Sequence, residues 1–329
     1  MKKCVKNFIL FMIAVALIIS FCSCGIRGKE PTDNTAKNQD ITSNLIIKNV
    51  NSIDTGSLHT VAVRTDGTVV ATGNNEYGQC NVSDWTDIVS ISASGNFTVG
   101  LKQDGTVVAV GANGSGQCNV SDWTDIVSIT TVVPGCYAVG GSTIGVKKDG
   151  TVIAIGEIVE GNSEYGYLDV TGITNVAMVS ASYNHAVFLK RDGTVFAVGD
   201  NSYGKCNVNG WTDIVKVVTG DGDTTIGLKK DGTVVATGCT GDDGNSLNVG
   251  DWKNVTDIGG FECFVLGVST TDGALCTWEN MDFLDETIAV TAEADYVVGL
   301  LPNGTLVAWG DNSYGQTNVS GWTNIKINQ

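Results

Sequence analysis

Apolar and polar residues alternate with a period of two along most of this chain, and glycine turns interrupt the alternation at regular intervals. His59 to Ile91 reads HTVAVRTDGTVVATGNNEYGQCNVSDWTDIVSI, and Phe97 to Ile129 reads FTVGLKQDGTVVAVGANGSGQCNVSDWTDIVSI. Val61, Val63 and Val69 alternate with their neighbours in the manner of strands, not helices. The turns fall at Asp66-Gly67, Asp104-Gly105, Asp149-Gly150, Asp192-Gly193, Asp231-Gly232, Asp272-Gly273 and Asn303-Gly304. They lie about forty residues apart, the spacing of a repeat architecture. An Asp-Gly centre predicts a two-residue hairpin between antiparallel strands. The Ile88 to Ile91 type of run supplies a third strand, and Gln-Cys-Asn-Val a short fourth.

One such sheet cannot bury both of its faces, whereas copies packed radially hide them against each other. The pattern therefore predicts an all-β fold, a closed β-propeller of seven four-stranded blades over residues 45–329. A linear β-solenoid has shorter coils and no hairpin turn at this period. Leu45 to Val50 resembles Trp322 to Ile327, so one of these ends completes the first or last blade and locks the ring. The copies disagree at insertions around Val132–Gly141 and Glu157–Tyr167, and in an eroded sixth unit, Thr270 to Glu279. Loops tolerate change that strands do not, so individual function is expected there.

The recurring pattern (His/Phe)-Thr-Val-x-Leu-x-x-Asp-Gly-Thr-Val-x-Ala-x-Gly-x-Asn-x-x-Gly-Gln resembles the regulator of chromosome condensation repeat. It is most similar to the bacterial exported branch, which includes secreted β-lactamase inhibitory proteins. The resemblance implies a seven-bladed propeller. It does not carry over the eukaryotic activity, nucleotide exchange on a nuclear small GTPase, because an exported acidic chain has neither that substrate nor the charge for chromatin.

The first residues are a separate object. Lys2, Lys3 and Lys6 precede an apolar run, Phe8 to Ile19, too short to span a bilayer, and small residues follow at Ser20 and Ser23. This is the layout of a secretory signal peptide, residues 1–23. Phe21-Cys22-Ser23-Cys24-Gly25 resembles the lipobox of bacterial lipoproteins, with Cys24 as the acylated residue because Ser23 before it is small. Lipid on Cys24 would hold the protein at the outer face of the bacterial cytoplasmic membrane or cell envelope. Residues 24–44 then form a polar tether. Loss of the three lysines takes the formal charge from −16 to −19. Such a surface repels phosphate backbones, which argues against nucleic acid.

Comparing the copies turns most chemically suggestive residues into scaffold. Cys80, Cys118 and Cys206 share a slot that also accepts Leu168, Leu247 and Thr317, so it is a packing position. No disulfide framework is expected from the ten cysteines, although one bridge among Cys136, Cys239, Cys263 and Cys276 stays open. His59 and His185 share a slot with Phe97 and Tyr296, and packing suits them better than catalysis. Trp85, Trp123, Trp211, Trp252 and Trp322 recur in another slot, replaced once by Ile173. Asp221, Asp223, Asp242 and Asp243 are hard oxygen donors in loops of the fifth unit, but turn formation explains them better. No catalytic motif, cofactor or metal site is expected.

The candidate binding face comes from the loops after the Ala-x-Gly strands. Tyr77, Tyr165, Tyr203 and Tyr314 each precede a glycine there, with Glu76, Glu164, Asp200 and Asp311 nearby. Trp278 and Trp309 join them as tryptophans that the repeat does not demand. Tyrosine offers large contact area at low entropy cost. The expected function is a non-catalytic monomer that binds another, extracellular protein. A glycan-binding or glycan-cleaving propeller is the alternative, and inhibition of an extracytoplasmic β-lactamase or penicillin-binding enzyme a narrower one.

Overall fold

In the computed structural model the described residues are 51–327, apart from 134–139, 158–168, 184, 221–222, 240–246, 262–263, 278–283, 285 and 294. The signal peptide, Cys24, the tether and Leu45 to Val50 lie outside them. The described chain forms seven antiparallel sheets. The first three are β1 (Ile53–Gly56), β2 (His59–Val63), β3 (Val69–Gly73); β4 (Ile88–Ser94), β5 (Phe97–Lys102), β6 (Val107–Gly111); and β7 (Ile126–Val132), β8 (Ser142–Lys147), β9 (Val152–Gly156). The fourth and fifth are β10 (Val176–Ser182), β11 (His185–Lys190), β12 (Val195–Gly199) and β13 (Ile214–Thr219), β14 (Thr224–Lys229), β15 (Val234–Gly238). The last two are β16 (Val255–Phe261), β17 (Phe264–Ser269), β18 (Gly273–Cys276) and β19 (Ala289–Glu293), β20 (Tyr296–Leu300), β21 (Leu306–Gly310). First strands lie beside first strands in chain order, and β19 lies against β1.

Each sheet has three strands, not the expected four. The Gln-Cys-Asn-Val segment spends its backbone within its own loop. The Gly78, Asn81 and Val82 N–H groups donate to Asn75, Gly78 and Cys80 carbonyls, and Cys80 N–H donates to the Asn75 side chain at 2.8 Å. Asn75 Nδ2 then donates to Asn81 Oδ1 at 2.9 Å. Those amides have nothing left to offer a third strand.

The frame of the unit also differs. Ile88–Ser94 pairs with the hairpin that follows it, Ile91 opposite Gly100, and not with the hairpin before it. One sequence repeat therefore straddles two sheets, and each sheet is tied covalently and by packing to the next. The hairpin turn is longer than expected as well. Arg64 N–H donates to Thr68 O, enclosing three residues, and only the glycine has positive φ, 80° at Gly67. Asp66 Oδ1 accepts from Thr68 N–H at 3.0 Å and Thr68 Oγ1 at 2.7 Å, so the carboxylate braces the turn from outside. This accounts for Asp-Gly-Thr as a unit.

Burial follows the radial arrangement. β2 is buried at every position, because its two faces meet two neighbouring sheets, whereas β3 is buried only at Val69. The tryptophan slot fills the space between sheets. A Cβ built on Gly145 would come within 2.7 Å of the Trp123 ring, and one on Gly100 within 2.7 Å of Trp85. Where the tryptophan slot holds Ile173, the facing glycine slot holds the fully buried Phe188, in the same cluster. Large-with-small has become medium-with-large, which conserves volume. In the eroded sixth unit Leu284 takes the slot and faces Gly299. Trp322 faces Ala62 of the first sheet.

Among the described residues, which leave out Leu45 to Val50, the C-terminal segment meets the first sheet. Ile325 pairs with Arg64, as Ile88 pairs with Lys102 one sheet on. Lys326 N–H donates to Val63 O and Thr65 N–H to Asn324 O, both at 2.8 Å. The two ends of the described chain thus share the work of one first strand. Tyr296 Oη adds bonds from the seventh sheet to Gly56 O at 2.8 Å and His59 O at 2.6 Å.

The tryptophan–glycine exchange is testable. Trp123→Ile should leave a void costing about 2 kcal/mol, and Gly145→Phe should overpack by about 1–3 kcal/mol. The double variant should unfold in urea closer to wild type than either single one. Additive losses would refute the complementarity.

Candidate functional site

Strand direction gives the two ends of the sheets different characters. β1 runs into β2 at the end where β3 finishes, and the Asp-Gly turns occupy the opposite end. The Tyr-Gly loops leave from the third strands, so they share one end with the β1–β2 type of connection. β7 leads into β8, and β9 finishes, at this same end.

The described large apolar side chains that are exposed are Tyr77 (45%), Tyr203 (70%), Tyr314 (53%) and Ile327. Three of these are loop-end tyrosines on the first, fourth and seventh units. Tyr165, Glu164 and Trp278 lie outside the described residues. Glu76 is exposed. The other acids are engaged: Asp311 accepts from Ser313 and, at 2.9 Å, from Gln316 Nε2, and Asp200 accepts from Ser202. Trp309 is half-buried against the cluster of Leu266, Leu284 and Val297, between the sixth and seventh sheets.

The buried residue two places after each tyrosine shapes its loop, a role that the sequence reading missed. Gln79 and Gln316 are fully buried, and each Oε1 accepts the tyrosine N–H at 3.0 Å. In the fourth unit the slot holds Lys205, also fully buried, which has donors but no acceptor. Its Nζ meets Asp200 at 2.9 Å and Asp223 at 2.8 Å. With no acceptor in that slot, the chain turns over at Tyr203, which takes the left-handed conformation at φ 64°. Hydrogen bonding to Lys205 is the main cause that brings Asp200 down to about 2. Burial opposes the Lys205 charge, but the two carboxylates outweigh it and raise its pKa. Gly-Gln in the first, second and seventh copies, against Gly-Lys in the fourth, was the available signal.

Threonines at the start of the second strands staple neighbouring sheets. Thr98 Oγ1 donates to Gln79 O at 2.9 Å, Thr143 Oγ1 to Gln117 O at 2.7 Å and Thr60 Oγ1 to Gln316 O at 2.7 Å. Because the Thr98 proton is used this way, His59 Nε2, 2.8 Å from Thr98 Oγ1, is the donor. His59 and His185 are both fully enclosed. Burial pushes His59 down to about 4 and, as the leading cause, His185 to about 3, so both rings are neutral near pH 7. Burial likewise pushes the Cys80 and Cys118 thiols up to about 11, which suits packing and not nucleophilic attack. Cys80, Cys118 and Cys206 are free thiols, whereas Cys239 is disulfide-bonded. Cys239 is one of the four cysteines among which the sequence left a bridge open.

The first strands surround a central cavity of about 150 Å³. Hydroxyl pairs in its lining join adjacent sheets: Thr55 with Thr291 at 3.0 Å, Ser92 with Thr131 at 3.0 Å and Ser180 with Thr219 at 3.1 Å. Asp54 accepts from Ala93 N–H at 2.9 Å, and burial pushes its carboxyl up to about 6. Lys216 pairs with Asp257 at 2.5 Å. Among the described residues no group of three or more His, Cys, Asp or Glu could hold a metal ion. Asp223 is committed to Lys205, and Asp221, Asp242 and Asp243 lie outside the described residues.

Three stretches, residues 50–79, 88–117 and 176–205, match the regulator of chromosome condensation (RCC1) repeat. Each match spans one three-stranded sheet and closes on Gln79, Gln117 or Lys205. The repeat as matched therefore coincides with the structural sheet and includes its loop brace. Among solved structures, the chain resembles the Crinkly WD40 ectodomain from the Arabidopsis thaliana receptor kinase ACR4. The identity is 16%, coverage is 82% of this chain and 98% of that one, and the TM-score is 0.61. It also resembles the ectodomain of the Physcomitrella patens receptor kinase CR4, at 15% identity and 79% and 73% coverage, with a TM-score of 0.59. At these identities the likeness is one of fold. Comparison with curated proteins returned no match.

The buried imidazoles make stability depend on pH. Their folded pKa values lie below the ordinary imidazole value of 6.5, so below that pH the unfolded chain binds protons that the folded chain refuses. Stability should fall on acidification from pH 6.5 towards 4, by about 1.4 kcal/mol per pH unit per ring. Asp54, raised by burial, acts in the opposite sense over part of this range. Comparing urea midpoints of wild type with His59→Phe/His185→Phe isolates the histidine contribution, because the variant keeps Asp54. The variant should lose less stability on acidification, and equal losses would place the rings outside the titration.

Proposed function

We propose that the seven sheets close into a β-propeller, held outside the bacterial membrane by lipid on Cys24, whose loop end binds another protein without catalysing a reaction. The observation that carries this is the concentration of exposed aromatic side chains. Tyr77, Tyr203 and Tyr314 present their rings on one end, while the other repeated aromatic slots are filled by packing residues. A tyrosine held out by a braced loop is a ready anchor. A propeller end is wide enough for an ordinary interface of ~800 Å² per partner. The neutral, enclosed histidines and the raised cysteine thiols favour binding over chemistry. The first strands form a ring around the cavity, and the C-terminal segment joins the first sheet, which supports closure.

Affinity capture from envelope extracts, with the bound protein identified by mass spectrometry, tests the binding reading. Replacing Tyr77, Tyr203 and Tyr314 together by Ala should reduce capture of that protein by about tenfold or more. Undiminished capture would move the interface off this end, and enrichment of glycans with no protein would replace the reading by the sugar-binding one. Tryptic mass analysis should find a diacylglyceryl group on Cys24; an unmodified mature N-terminus elsewhere would overturn the anchor.

A further inference from the structure

The two ends of the sheets carry different charge. Lys102, Lys147, Lys190 and Lys229 close second strands at the Asp-Gly end, with Lys148, Arg191 and Lys230 next to them. Arg64, Lys253 and Lys326 belong to the same end by strand direction. Acids are interspersed there, among them exposed Asp87 and Asp125. The loop end is different. The segments that join first to second strands, or follow third strands as far as the Asn-Val that closes each loop, contain no arginine and no lysine except Lys205. That lysine is fully buried and held between Asp200 and Asp223. The loop end therefore offers no free cation from these segments. It does offer exposed carboxylates, Glu76 next to Tyr77 and Glu157 at the end of β9 accepting from Ser115 Oγ, on the same end as the exposed rings of Tyr77, Tyr203 and Tyr314.

Resting on the protein-binding reading above, we propose that the partner presents a lysine- or arginine-rich protein segment to this loop end. An ammonium or guanidinium group gains from both features at once, the carboxylate charge and the negative face of a tyrosine ring. An acidic partner would meet like charge with no compensating cation, which costs encounter rate and affinity. The mixed charge at the opposite end has no such preference. The net charge of −16 would attract any polycation weakly, so the test must separate ends and not merely signs.

Binding of oligolysine to the purified full chain, followed by calorimetry near physiological salt, provides that separation. Tyr77→Ser/Tyr314→Ser should weaken it by about tenfold, and Glu76→Gln/Glu157→Gln should weaken it several-fold. Asp87→Asn/Asp125→Asn removes the same charge from the Asp-Gly end, using the residue that this chain itself places in that slot at Asn175, Asn254 and Asn324. That control should leave affinity unchanged. Equal losses from the two acid pairs would reduce the effect to net charge and overturn the assignment. Absence of oligolysine binding, with tyrosine-dependent capture of a protein retained, would overturn the cationic partner while leaving the protein-binding reading standing. Loss of both would remove the two together.

Discussion

Burial of the second strand on both faces is the constraint on which the rest of the molecule depends. A three-stranded sheet of five- or six-residue strands has no interior of its own. β2, with all five residues buried, is hidden only when a sheet stands on each side. Each neighbour needs a neighbour in turn, and β19 lies against β1. The join is reinforced where the chain has no covalent link: Ile325 and Lys326 extend the first sheet, Thr60 bonds Gln316 O, and the Tyr296 hydroxyl reaches two carbonyls of the first sheet.

The same constraint decides which residues are left for function. Between sheets, space is limited and each slot is matched to another: tryptophan with glycine, Ile173 with Phe188, histidine Nε2 with a threonine hydroxyl. A residue in such a slot is held by neighbours on a different sheet and has no freedom to meet a ligand. Loops at the end of the third strands meet the neighbouring sheet through backbone carbonyls, Gly315 O accepting from Thr72 and Gln79 O from Thr98, and leave the tyrosine rings outside that contact. Their tyrosines are consequently exposed, and Tyr203 most of all, because Lys205 cannot supply the acceptor that Gln79 and Gln316 supply.

The candidate site was legible in part. Tyr77, Tyr203 and Tyr314 stood out as a repeated Tyr-Gly pair, and they are exposed as a surface role requires. Asp200 and Asp311 looked equivalent to Glu76 as surface acids, but a carboxylate two residues from a serine and five from a buried donor folds back on its own loop. Trp309 looked unclaimed by the repeat, and it packs half-buried against Leu266, Leu284 and Val297. The Gln-Cys-Asn-Val segment carries an apolar residue at strand spacing and so suggested a fourth strand. Asn75 and Asn81 defeat this by satisfying the loop locally, and side-chain competition of that kind has no periodic signature.

The sequence by itself determined the all-β class, the sevenfold repeat, the hairpin positions and the demotion of histidines, cysteines and five tryptophans to scaffold. Those follow from local alternation and from comparing copies, both of which are properties of one chain read along its length. Tertiary structure alone decided that each repeat straddles two sheets, that Asp-Gly turns enclose three residues, that the C-terminal segment meets the first sheet, and that Lys205 is buried between two carboxylates. Each of these depends on which distant backbone or side chain fills a slot, and residues as far apart as Arg64 and Ile325 become neighbours only when the sheets come together.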